Sequence, residues 1–252
     1  MGEKKINEVM GACRLCHKEA KLLNSHIIPE FVYKPLYDDL HRFISFEPSS
    51  QHPNKMKQKG IRERLLCIEC EGRFSKLEQY ASQVISHKKL DVSDFDEQTR
   101  VYTFRNIDYN RFKLFQLSVL WKASVAHKSS FSSVSLGHHE EKLRRMLSQN
   151  EPGEPHEYGC AVIGLHSIAG IEMDQVIVEP IKQRKLGHIM YSFLFASCLW
   201  TYVVSSHSNQ FKNEEVFLQK DGTLPMAVRN PEDIGLLDFL YNRFKKAGAL
   251  NN

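Results

Sequence analysis

The sequence predicts an α+β protein in two parts: a zinc-stabilised N-terminal module and a C-terminal domain of helices and antiparallel sheet. Three observations predict it. Two Cys-x-x-Cys pairs, Cys13/Cys16 and Cys67/Cys70, bracket a short strand-like segment. Apolar residues then recur at helical spacing from Phe74 to Ile85 and from Phe112 to Trp121. The last hundred residues are instead rich in β-branched and aromatic runs punctuated by turn residues.

The paired cysteines come first. Two cysteines separated by two residues can place both sulfurs on one metal, and two such knuckles complete a closed Cys₄ set, the structural kind of zinc site. A disulfide pair or a redox Cys-x-x-Cys motif are the alternatives. The former suits a secreted chain and the latter a βαβ unit, and neither context is visible here. Cys160 and Cys198 lie in apolar surroundings and read as core residues.

Ala20 to Ile28 reads as a strand ending at Pro29, with His26 near its end. Residues 41–60, with Pro48, Pro53 and a Lys55/Lys57/Lys59 cluster extended by Arg62 and Arg64, read as an exposed basic loop. Ile61 to Leu66 reads as a second strand leading into the second knuckle. Glu71 to Ile85 is a helix with Phe74, Leu77, Ala81 and Val84 on one face. Glu71, Ser75 and Glu78 share another face, at i, i+4 and i+7.

This order, of knuckle, strand with histidine, loop, strand, knuckle and helix, resembles the HNH or ββα-metal nuclease family. The resemblance rests on Cys13, Cys16, Ser25-His26-Ile27-Ile28-Pro29 and Leu65-Leu66-Cys67-Ile68-Glu69-Cys70-Glu71, and covers the N-terminal third. It implies a metal-dependent endonuclease hydrolysing phosphodiester bonds of nucleic acid, with DNA the expected substrate and bacterial defence a setting common among such proteins. His26 takes the place of the general base. Glu71 takes that of a ligand to a catalytic Mg²⁺ or Mn²⁺, with Glu78 a weaker candidate. Ser25 and Arg62 stand where the family places a metal ligand and a base-orienting asparagine. An imidazole suits the base because its pKa lies near neutrality. Lys55, Lys57, Lys59, Arg62, Arg64, Arg73 and Lys76 are the candidate phosphate contacts. The other reading of the segment is a catalytically inactive zinc module that binds nucleic acid or protein. His26 is then a core histidine, and Glu71 only complements the helix dipole.

Charge agrees with a nucleic-acid partner. Residues 1–90 carry 16 Lys and Arg against 11 Asp and Glu, so the excess positive charge of the chain lies there. Residues 86–100, with four carboxylates, read as an acidic surface loop, and the division expected is 1–90 and 100–252. Asp108 caps a helix from Tyr109 to about His127, apolar on most sides. Ser129 to Ser135 is a link, and a further helix opens at Gly137-His138-His139. Residues 150–156 are a loop. Tyr158–Leu165, Gln175–Val178 and two runs within His188–Ser205 read as strands, with a hairpin connection at Arg184–Gly187. Pro231–Phe244 reads as a closing helix. The apolar stretch Ile189–Val204 is too short and too hydroxylated to span a bilayer, so no membrane partner is expected. Met1–Lys5 is followed by no apolar run, which predicts no secretory leader and a cytoplasmic location. A protein partner or a homo-oligomer stays open, and the sequence assigns no function to residues 100–252.

Overall fold

A computed structural model describes residues 9–46, 54–85, 91–167, 172–185 and 187–235, with position 238. The chain begins with strands β1 (Met10–Ala12) and β2 (Glu19–Lys21), an antiparallel pair around the first knuckle. Next come β3 (Leu23–His26), the short helix α1 (Glu30–Tyr33), β4 (Phe43–Phe46), β5 (Asn54–Lys57) and β6 (Arg62–Leu66). Helix α2 (Ile68–Ile85) follows β6 with one residue between them. Strand β3 pairs antiparallel with β6, setting Ser25 opposite Glu63 and His26 opposite Arg62. Hairpin and helix together make a ββα unit whose two knuckles lie far apart in sequence.

The second half adds β7 (Asp91–Asp96), β8 (Val101–Arg105), α3 (Tyr109–Val125), α4 (His138–Gln149), β9 (Cys160–Leu165), β10 (Val178–Lys185), β11 (His188–Phe195), β12 (Cys198–Val204) and β13 (Leu224–Arg229). Strands β7 to β13 form a seven-stranded sheet in the order β10-β11-β12-β9-β13-β8-β7, antiparallel except where β13 meets β9. The Asp108 carboxylate accepts the Arg111 N–H at 3.0 Å and starts α3. That helix is buried on nearly every side. Trp121 meets Phe74 of α2 edge-on at 6.0 Å, and Phe112 and Phe115 face Trp200 of the sheet at 6.2 and 6.4 Å. One continuous hydrophobic core therefore runs from Cys13 to Leu224 through both halves. Part of the boundary expected at 86–100, residues 86–90, lies outside the described residues, and residues 91–96 form β7 of the sheet.

Several expectations are corrected. The segment expected as one strand from Ala20 to Ile28 is two, β2 and β3. Within the expected basic loop 41–60, β4 and β5 form a hairpin in which Ile44 faces Met56, while 47–53 lie outside the described residues. In the sequence, the prolines and lysines of the segment outweighed its short apolar stretch of Phe43, Ile44 and Phe46. The acidic segment forms β7, whose aspartates suit the last strand of the sheet because charge discourages pairing with a second edge. Residues 173–175 form a 3-10 turn, and the strand expected at Gln175–Val178 instead runs from Val178 to Lys185. Strand β13 was not foreseen, since Pro225 argues against an inner strand. Pairing with β9 starts only at Met226, so Pro225 owes that partner no N–H. Residues 231–235 are turns rather than helix, and most of the expected closing helix lies outside the described residues.

Candidate metal centre and the histidine beside it

The first knuckle is a turn tied to the hairpin by backbone. Cys13 N–H donates to Lys18 O at 2.9 Å, and His17, in the left-handed region at φ 63°, closes the turn onto Cys13 O. Arg14 N–H donates to Leu65 O at 2.9 Å, which seats the first knuckle on the end of β6. The second knuckle is the entry to α2, where Glu71 N–H donates to Cys67 O at 2.9 Å. This is why α2 starts at Ile68, three residues before the expected Glu71. From the other side, the Arg144 guanidinium of α4 donates to Leu15 O at 2.6 Å.

The result gathers all four sulfurs within 4.8 Å of one another, with Cys16 Sγ and Cys67 Sγ 3.8 Å apart. Zinc–sulfur bonds of about 2.3 Å at tetrahedral angles put neighbouring sulfurs about 3.8 Å apart. The donor set and its spacing therefore fit a metal ion such as zinc. The electrostatics agree. Burial pushes the Cys13 thiol up, but the N–H groups of Cys16, Cys67 and Leu15 bring it down to about 7. Burial raises Cys16 and Cys70, and the sulfurs around Cys70 raise it further. Burial opposes ionisation at Cys16 and Cys70, which a bound dication would offset.

His26 lies at the end of β3 and is mostly buried, its Nε2 against the Glu30 carboxylate of α1. Glu30 also accepts from Tyr37 Oη at 2.9 Å and from Arg62 at 3.3 Å. Burial, then the Arg62 guanidinium, lowers the His26 pKa below its ordinary value, and Glu30 opposes them. The imidazole is thus neutral at neutral pH and able to accept a proton.

Several of the candidate residues have defined partners. Glu71 accepts from the buried Ser25 hydroxyl at 2.5 Å. Glu78 is paired at 2.6 Å with Lys122 of α3. Arg62 serves Glu30, and Arg64 donates to Leu22 O at 2.8 Å. Arg73 donates to Leu147 O, Ser148 O and Asn150 Oδ1 at the end of α4. It satisfies carbonyls at a helix C-terminus rather than standing free for phosphate. Lys55, Lys59 and Lys76 are exposed, and Lys57 is half-buried. Arg73→Ala is expected to cost about 1–3 kcal/mol, as three acceptors lose their donor. Faster amide exchange confined first to the last turn of α4 checks it.

Sequence reasoning missed Glu30, Tyr37 and Lys122. A signal existed for two of them. Glu30 stands four residues after His26, and Lys122 is a cation directly after the apolar run Val119-Leu120-Trp121. Among the described residues, the four cysteines are the one group of three or more Cys, His, Asp or Glu able to share an ion, and no helix is long and apolar enough to cross a membrane. No family model matches the chain, and no curated protein or solved structure is significantly similar to it.

Proposed function

We propose that residues 1–90 form an HNH-like module that hydrolyses phosphodiester bonds of nucleic acid, with DNA the expected substrate. One observation carries the reading: a β-hairpin and the helix after it are pinned by a four-sulfur cluster, and a neutral imidazole sits at the end of the first strand. His26 is the base that takes a proton from water, and Glu30, supported by Arg62 and Tyr37, holds its ring. The sulfur cluster is a structural zinc site, since four thiolates leave no open position for substrate. Lys55, Lys59 and Lys76 supply phosphate contacts. The Mg²⁺ or Mn²⁺ that the family resemblance implies does not find a set of free oxygen ligands here, because Glu71 and Glu78 each already hold a donor.

Cleavage of duplex and single-stranded DNA and RNA, with Mg²⁺ or Mn²⁺ supplied, tests the proposal. His26→Ala is expected to lose about 10²–10⁴-fold in cutting rate while keeping nucleic-acid binding. Cutting that survives in the variant, or a wild-type protein that binds and never cuts, rejects it. The latter outcome is the second reading, a binding module without hydrolysis. The same two engaged carboxylates favour it. It predicts binding that weakens steeply with salt and no product.

A further inference from the structure

Lys122 belongs to α3, in the half of the chain that follows the ββα unit. Its side chain is 2% exposed, and its Nζ lies 2.6 Å from a carboxylate oxygen of Glu78, itself 20% exposed. The same ammonium stands 5.9 Å from the ring centroid of Phe74, one turn back along α2. Taking an ammonium out of water costs several kcal/mol, which only a close partner offsets. Lysine in a packed helix interface is therefore a specific feature and not a spare surface charge. Glu78 lies seven residues along α2 from Glu71, on the same helix face, and Glu71 holds the hydroxyl of Ser25, the neighbour of His26 in β3. Both charges of the pair also act on His26, the carboxylate raising and the ammonium lowering its pKa. Glu30 holds His26, Arg62 and Tyr37. Glu78 of α2 thus receives its counter-charge from within the chain.

We propose that Lys122 is the resident cation of the ββα site: its ammonium neutralises Glu78 where the nuclease reading calls for a divalent ion, so a metal enters only when this ion pair opens. The proposal rests on that reading for the identity of the site. Ammonium and metal compete for the same carboxylate oxygens, and magnesium-like ions are commonly held by only one or two carboxylates. Because Lys122 comes from α3, which packs against the seven-stranded sheet, the second half of the chain sets the charge of the site in the first.

Manganese titration of the zinc-loaded protein, read by the loss of the free-ion electron paramagnetic resonance signal, tests this without reference to cutting. Lys122→Met is expected to bind one Mn²⁺ at least about tenfold more tightly than wild type. Lys122→Arg, which keeps the charge, is expected to show no gain, and adding Glu78→Gln to Lys122→Met is expected to remove it. A folded Lys122→Met protein that binds Mn²⁺ no better than wild type overturns the proposal. So does a wild-type protein that already cuts with Mg²⁺ and loses cutting in Lys122→Met, because lysine is then part of the machinery. If thermal melts show that Lys122→Met does not fold, Lys122→Gln carries the test. If neither folds, the pair is a structural tie and the proposal falls. A gain in manganese binding with no cutting in any variant keeps the resident cation and removes the nuclease reading.

Discussion

Cys67→Ser is expected to release the metal and unfold the ββα unit. Cys67 closes the sulfur cluster, and its carbonyl also receives the first N–H of α2. A structural zinc site contributes about 10–16 kcal/mol of apparent binding free energy at neutral pH, more than the about 5–15 kcal/mol that holds a typical domain folded. The short pairs β1–β2 and β3–β6 bury few side chains of their own, Leu65 and Leu66 among them, with Leu15 and Leu22 buried beside them. Without four sulfurs on one ion, nothing covalent or ionic joins residue 13 to residue 70. Metal analysis is expected to show the loss of one zinc per chain. Amide exchange is expected to lose protection at Leu65 and Leu66 before α3. Since one core joins the halves, the melting temperature of the whole chain is expected to fall too. Cys160→Ser, at a buried thiol away from the cluster, is expected to keep the metal. A Cys67→Ser protein with full zinc content contradicts the site.

Lys113 is expected to make the fold more stable as pH rises from about 8 towards 10.5. Its side chain is 1% exposed, and its Nζ donates to Pro155 O and Tyr158 O, each at 3.1 Å. Burial pushes its pKa down from 10.5 to about 8, and the charges of Cys160 and Glu157 only partly offset that. Below pH 8 both the folded and the unfolded chain carry the proton, and the folded chain bears the cost of a buried ammonium. Between the two values the unfolded chain still binds a proton that the folded chain has released, so stability increases with pH there. The shift corresponds to about 3 kcal/mol over the whole window. Urea unfolding at pH 8 and pH 10 is expected to show this rise in wild type and not in Lys113→Met. Half-buried Cys198 and buried Cys160, both raised by burial to about 12, act in the opposite direction. Both thiols are common to the two proteins, so the difference between them reports Lys113 together with its effect on Cys160. Equal slopes in the two proteins mean that Lys113 keeps its charge.

Much of the ββα unit is legible along the chain because its signals are local. The Cys-x-x-Cys spacings, Pro29 after the strand and the apolar face of α2 each act within a few residues. Asp108 and the apolar run after it likewise locate α3 to within two residues of its end. What resisted reading was local chemistry overruled by pairing. Strand β7 carries three aspartates and β13 a proline, and both are strands because neighbours supply their hydrogen bonds. The β4–β5 hairpin looked like a loop because its lysines outweighed its short apolar stretch.

The candidate site divides along the same line. The sequence by itself determined which atoms can hold a soft metal and which imidazole stands at a strand end, since both follow from residue type and short spacing. Only the tertiary structure decided what those groups meet. It set Glu30 on His26, Ser25 on Glu71 and Lys122 on Glu78, and it turned Arg73 from a phosphate candidate into the cap of α4. The physical reason is range. Helical and strand periodicity and knuckle spacing are properties of neighbours in the chain, whereas the ion pair between α2 and α3 and the hydrogen bonds from α2 to the end of α4 depend on how separate helices pack, and that is settled by the shared core.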